Sequence, residues 1–123
     1  VGYDFSYETG YEVIQQLLDD GVEFDGVYAS QSTMAVGAVN SLLDAGIRLP
    51  EDVSLIAFDD RFDAMKPRIG ISTMKQDVFQ KGVKLANALI DRIEDENAPP
   101  IQRFLPTELV IRDTCGGLKD LRP

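Results

Sequence analysis

Histidine is absent from this chain of 123 residues, and cysteine occurs once, as Cys115. Without imidazole the sequence lacks the commonest general base and the commonest zinc ligand. One cysteine forbids an internal disulfide, and with no histidine to deprotonate it a catalytic thiol is not expected. A single thiol fits a reducing cytoplasm, the location expected here. Basic residues are few, 12 Lys and Arg against 21 Asp and Glu, for a net charge of −9. They are scattered, which argues against binding of a phosphate backbone by this chain, since that needs clustered cations. The acidity by itself implies no more than solubility. No apolar run approaches the roughly 18 residues of a membrane span. No signal peptide is visible from Val1 onward. Gly2, Gly10, Gly21, Gly26 and Gly37 match neither a dinucleotide fingerprint nor a P-loop, and no Gly-x-Ser-x-Gly elbow occurs. No enzyme, cofactor or metal is expected from this inventory.

What is present is ordinary globular material, 44% hydrophobic and 27% charged, long enough for one domain with a real core. Val1–Phe5 reads as the end of something upstream. Ser6 is an N-cap candidate, and Tyr11, Val13, Ile14, Leu17 and Leu18 recur at helical spacing until Gly21. A strand is predicted over Val27–Ala29. Ser30 or Ser32 can cap the following helix, which is apolar around much of its circumference and ends at Gly46. That breadth predicts burial on two sides, one against a sheet and the other against a partner subunit. Pro50 fixes a turn. The continuous apolar run Val53–Phe58 predicts a central strand covered on both faces. Arg61–Gly70 reads as a loop with a short helical turn at Phe62–Met65, and Ile71–Met74 as a short strand. Asp77 caps an amphipathic helix with a stripe of Phe79, Val83, Ala86, Leu89, Ile90 and Ile93, ended by Asn97-Ala-Pro-Pro100. Phe104–Arg112 reads as a strand placed toward an edge by Pro106. Residues 116–123 form a polar tail.

Two β-prone runs therefore stop at polar residues, Ser30-Gln31-Ser32 and Asp59-Asp60, with a helix between them. A strand, a crossover helix and a strand make a parallel pair, and ligands bind beyond the carboxyl ends of such strands. This predicts a small-molecule pocket at Gln31, Ser32, Asp59 and Asp60. Carboxylates there can bind sugar hydroxyls, bind Mg²⁺ or accept a phosphoryl group, or one can cap the following turn. Magnesium would need more converging carboxylates than the sequence offers. One aspartate is expected in the turn and the other facing a ligand. Gln31 both donates and accepts, which suits a polyhydroxylated ligand, or it points into solvent. Phe5 stacks on a ligand or packs in the core.

The same residues resemble a known family. Val27-Tyr-Ala-Ser-Gln-Ser-Thr-Met-Ala-Val-Gly-Ala38 is similar to a segment of the LacI/GalR regulators in which an Asn-Asp pair precedes a Met-Ala-x-Gly-Ala helix start. Gly46-Ile-Arg-Leu-Pro-Glu-Asp-Val-Ser-Leu-Ile-Ala-Phe-Asp-Asp60 is very close to the family's Gly-x-Arg-x-Pro-x-Asp to Asp-Asp segment. Ser72-Thr-Met-Lys-Gln76, Leu105-Pro-Thr-Glu-Leu-Val-Ile-Arg112 and Asp4-Phe-Ser-Tyr-Glu-Thr-Gly10 resemble further motifs, in family order. The resemblance implies the sensor of a bacterial transcriptional repressor with a periplasmic-binding-protein-like, type I fold: an α/β parallel-sheet, three-layer lobe and an incomplete second lobe. It implies that residues 1–75 and 102–115 belong to the C-terminal lobe and the 76–98 helix to the N-terminal lobe, where its stripe lacks its usual partners in this chain. It further implies a small polar effector, a sugar or a derivative, held by Asp59, Gln31, Ser32 and Phe5. Asp60 then passes to a turn role. It implies a homodimer with Met34, Val36, Val39, Asn40 and Leu43 at the contact, and operator binding only through an N-terminal helix-turn-helix outside this sequence. Gln31-Ser32 replaces the usual Asn-Asp, Ala57 replaces a glycine, and Lys66-Pro-Arg-Ile-Gly70 departs from the usual loop. A transport binding protein of the same fold, or an α/β enzyme using Asp59 or Asp60 as a base, are the alternative readings.

Overall fold

The computed structural model describes residues 4–62, 65–95, 97 and 99–116. Two compact units are present: the described residues of Val1–Lys75 with Leu109–Pro123, and Gln76–Glu108.

In the first unit, helix α1 spans Tyr7–Asp19. Ser6 caps it as expected, its hydroxyl accepting from the Thr9 N–H at 3.1 Å. The helix closes in a Schellman motif: Gly21 N–H donates to Leu18 O and Val22 N–H to Leu17 O, with Gly21 at φ 68°. Strand β1 is Gly26–Ala29, helix α2 is Ser32–Asp44, strand β2 is Ser54–Phe58 and strand β3 is Ser72–Gln76. Strand β4, Thr107–Val110, completes a sheet of order β1-β2-β3-β4. Both β1–β2 and β2–β3 pair in parallel, with Ala29 opposite Ala57 and Phe58 opposite Met74. The strand–helix–strand unit read from the two apolar runs is therefore present.

The core joins Ile14 of α1, Ala35, Val36, Ala38, Val39 and Leu42 of α2, Ala29, Leu55 and Ala57 of the sheet, and Val53 and Ile71 just before β2 and β3. Side chains alternate across a strand, and on β2 only Leu55 and Ala57 are fully buried, while Ile56 and Phe58 are half-buried. The expected cover on both faces is corrected to one fully covered face: α2 packs the Leu55–Ala57 face, and Tyr28, paired with Ile56 on the other face, is exposed.

Helix α2 meets α1 through two glycines. A Cβ at Gly10 would lie 2.0 Å from Met34 O, and one at Gly37 would lie 2.0 Å from Tyr7 O. Hydrogen at these positions lets the two backbones touch. Asn40 Nδ2 donates to Tyr7 Oη at 3.1 Å, and Tyr11 Oη donates to Asp44 Oδ2 at 3.0 Å. The side of α2 bearing Met34, Gly37, Asn40 and Asp44 is thus met by α1 of the same chain. Val36 and Val39, expected at a subunit contact, are 1% and 0% exposed and belong to the chain's own core, whereas Met34, Asn40 and Leu43 are half-buried.

Strand β4 is shorter than the predicted Phe104–Arg112. Pro106 has no N–H, so the ladder begins after it. At the other end Arg112 N–H turns to Ser72 Oγ, and Asp113 and Thr114 N–H turn to Gly70 O. β4 lies at the sheet edge, as Pro106 indicated. Within Phe62–Met65, Met65 N–H reaches Phe62 O at 3.3 Å; Asp63 and Ala64 lie outside the described residues, as do tail residues 117–123.

The second unit holds helix α3, Val78–Glu94, with the Asp77 side chain accepting from the Gln80 N–H at 2.9 Å. None of its residues is buried. The predicted stripe is exposed, Phe79 at 76% and Ile93 at 70%. Among the described residues no helix is long and apolar enough to cross a membrane.

Candidate functional site

Strand register builds the site. Ala29 and Ala57 are paired neighbours, so Gln31, two residues past the end of β1, and Asp59, the residue after β2, follow the carboxyl ends of adjacent strands. Ser32 ties the two ends together: its hydroxyl, on a side chain only 2% exposed, donates to Arg61 O at 2.6 Å. Ser32 is the first residue of α2, so neither serine occupies the N-cap position. The N-cap position falls to Gln31, in extended backbone, and its side chain makes no capping bond. Gln31 Oε1 is instead buried without a hydrogen-bond partner. Such an orphaned acceptor costs on the order of 1–3 kcal/mol unless something donates to it.

Asp59 has φ 77°, and no other described residue except glycine has a positive φ. Left-handed backbone is disfavoured for a residue with a Cβ, although aspartate tolerates it better than most. Such conformations cluster at ligand sites, where the surrounding structure enforces them. The Asp59 N–H continues the β2–β3 ladder, donating to Met74 O at 3.0 Å. Its carboxylate, on a half-buried residue, makes no hydrogen bond or ion pair with the described residues. A carboxylate and an amide oxygen, neither with a partner among the described residues, therefore follow adjacent strand ends, and such groups suit ligand hydroxyls, each of which both donates and accepts.

Asp60 has another fate. Arg112 Nη1 and Nη2 grip its two oxygens at 2.7 and 2.9 Å, and Thr73 Oγ1 donates at 3.0 Å. The Arg112 and Asp60 side chains are 32% and 15% exposed. The guanidinium hydrogen bond holds the Asp60 carboxyl below its usual range, the Thr73 hydroxyl adds to this, and Asp60 in turn raises Arg112. The turn role expected for Asp60 is corrected: it is one half of an ion pair. Arg112 was not among the candidates. The available signal was a lone arginine just past an edge strand in an acidic chain, weak without knowledge of what β4 lies beside.

Phe5 directly precedes α1 and is 61% exposed. Its ring is not in the core cluster, which departs from the packing favoured by composition alone. Among the described residues no three acidic or cysteine side chains gather as a metal would require.

The chain matches the model of the periplasmic binding protein-like domain over residues 3–115. It is 32% identical over 111 residues to the transcriptional regulator CelR of Thermobifida fusca, covering 90% of this chain and 33% of that one. It is 32% identical over 117 residues to the transcriptional repressor PurR of Haemophilus influenzae, covering 93% of this chain and 35% of the repressor. Its fold superposes on the CelR–cellobiose complex with a TM-score of 0.80 at 32% identity, over 90% of this chain and 34% of that one. It superposes on the dimeric lac repressor bound to operator and the anti-inducer ONPF with a TM-score of 0.81 at 27% identity, over 91% of this chain and 39% of that one. The chain thus spans about a third of the length of the curated relatives it matches. Those relatives are transcriptional regulators, not enzymes. From motif order, parallel-sheet topology and these matches, the chain belongs to the periplasmic binding protein-like domain family, in the form carried by LacI-type transcriptional regulators.

Proposed function

We propose that this chain is the effector-sensing part of a cytoplasmic LacI-type repressor, and that its effector is a sugar or sugar-like molecule. The observation that carries this is that Asp59, with no polar partner for its carboxylate, and Gln31, with its orphaned Oε1, follow adjacent strand ends. Asp59 accepts from effector hydroxyls, Gln31 accepts and donates, and the exposed Phe5 ring stacks on the apolar face of the ligand. Ser32, committed as a donor to Arg61 O, offers its lone pairs and fixes the shape of the wall. The regulator CelR has been solved with cellobiose, which supports the ligand class. The role is binding, with no catalytic step.

In the proposed mechanism the effector bridges this lobe and a second lobe supplied by the longer protein, to which α3 belongs. Binding one arrangement of the lobes better than the other shifts their equilibrium, and the shift alters how paired helix-turn-helix domains sit on operator DNA. The working form is a homodimer, as the lac repressor is in its solved complex. On this chain Leu43, with Met34 and Asn40 at its margin, is the proposed edge of the contact. The test is calorimetric titration of the full-length protein and of this chain against a panel of mono- and disaccharides. Binding by the full-length protein and weak or no binding by the chain is the expected pattern. Equally tight binding by both contradicts the two-lobe mechanism, and no binding by either contradicts the ligand class.

A further inference from the structure

The Asp59 carboxylate makes no hydrogen bond or ion pair with the described residues, so no polar partner on the protein fixes its aim and its backbone is the part that is held. That backbone is held at two places. On one side the Asp59 N–H is bound to Met74 O at 3.0 Å. On the other side the next residue, Asp60, is gripped by both terminal nitrogens of Arg112. Arg112 is itself pinned: Nη1 also donates to Ile71 O at 2.6 Å and lies 3.3 Å from Thr73 Oγ1, and its N–H donates to Ser72 Oγ at 2.8 Å. The guanidinium is thus fixed to β3 rather than left on a flexible stem. The planar two-pronged pair sets orientation as well as distance.

Resting on the reading of Asp59 given above, we propose that Arg112 and Asp60 are positioning residues for the effector site: they hold the left-handed turn at Asp59 and so aim its carboxylate at the ligand. Left-handed aspartate relaxes when one flank is released. Lysine carries the charge of arginine without the fork, so Arg112→Lys retains part of the hold and Arg112→Met none.

Two measurements on the full-length protein test this. The first is hydrogen–deuterium exchange at the Asp59 amide, with the Val39 amide in the core of α2 reporting global opening. Arg112→Met and Asp60→Asn should accelerate Asp59 by tenfold or more and leave Val39 unchanged, with Arg112→Lys between them and wild type. Parallel acceleration of both amides, or none, shows a merely structural pair and overturns the proposal. Should Arg112→Met fail to fold, Asp60→Asn keeps the side-chain shape and gives the same comparison. The second is titration with cellobiose of wild type, Asp59→Asn, Arg112→Met and the double variant. Arg112→Met should weaken binding at least tenfold, and adding it to Asp59→Asn should cause no further loss. Weakening by Asp59→Asn but not by Arg112→Met overturns the positioning role alone. Unchanged binding in Asp59→Asn overturns the reading of Asp59 instead. If wild type does not bind cellobiose, the exchange comparison still decides the positioning role.

Discussion

Replacing Gly10 or Gly37 by alanine sets two effects of opposite sign against each other. Alanine in a helix interior is favoured over glycine by about 0.8–1 kcal/mol. Against this, the added methyl would stand 2.0 Å from a carbonyl oxygen, Met34 O for Gly10 and Tyr7 O for Gly37. Carbon and carbonyl oxygen approach to about 3.3 Å without penalty, so the helices must part by roughly 1.3 Å. The obstructing atoms are backbone and cannot swing aside. Parting stretches the Tyr7–Asn40 and Tyr11–Asp44 hydrogen bonds and loosens Ile14 against the core, and a gap of 0.5–1 Å already forfeits about a quarter to a half of each dispersion contact. Overpacking of this kind costs about 1–3 kcal/mol, and a clash with unyielding atoms belongs at the upper end. The net prediction for either variant is a loss of about 2 kcal/mol after the propensity gain is subtracted. The melting temperature should fall by about 8 °C, at roughly 4 °C per kcal/mol for a domain of this size. Both methyls occupy one gap, so the double variant should lose less than the sum of the singles. Urea unfolding followed by circular dichroism reads this directly. Stabilisation by about 1 kcal/mol, the outcome of propensity alone, would refute the close-approach argument.

Other consequences follow from single residues. Asp52 accepts from the Arg48 side chain and backbone, and these bonds lower its pKa to about 2. A depressed carboxylate contributes stability that is complete above its ordinary value near 3.8 and is lost as pH falls toward about 2. An NMR titration of Arg48→Ala should return Asp52 toward the ordinary value, and an unmoved midpoint would contradict the assignment. At Asp59, glycine should leave stability unchanged or raise it by up to about 1 kcal/mol, while valine should cost about 1–2 kcal/mol, because a branched side chain is worst suited to left-handed backbone; equal unfolding midpoints for the two variants would show that φ 77° is not maintained. Leu89 is 62% exposed, so Leu89→Ser should change the stability of this chain by less than about 0.5 kcal/mol. In the full-length protein the same change should be clearly destabilising, because the proposed second lobe covers the α3 stripe, and a null result there counts against that placement.

Much of this was legible in the residues. Ser6, Gly21 and Asp77 marked helix ends through local capping chemistry, which depends on no distant contact. The parallel β1–α2–β2 unit followed from two β-prone runs around a helical one. Less legible was what depends on residues far apart in sequence. The width of α2's apolar surface showed that two sides are buried, but α1 and a partner subunit fit the same pattern. Only the paired glycines 10 and 37, 27 positions apart by subtraction, specify α1, and their role is visible only once the backbones touch. The Asp60–Arg112 pair closes a longer gap still. Ser30 and Ser32 looked alike as caps, yet Gln31 holds the N-cap position and Ser32 bonds the carbonyl of Arg61, unseen from the local sequence. For α3 the stripe was read correctly, and in this structure it is exposed.

The central claim is that adjacent strand ends hold a hydroxyl-rich effector between Gln31 and Asp59. Its most direct test is calorimetric titration of full-length wild type, Asp59→Asn and Gln31→Leu with the sugar that binds wild type most tightly. Hydrogen bonds to a charged group contribute about 1.5–3 kcal/mol, so Asp59→Asn should weaken binding by roughly 10- to 100-fold, and Gln31→Leu should weaken it less, with operator affinity in the absence of sugar unchanged for both. Unchanged sugar affinity in Asp59→Asn would contradict the account.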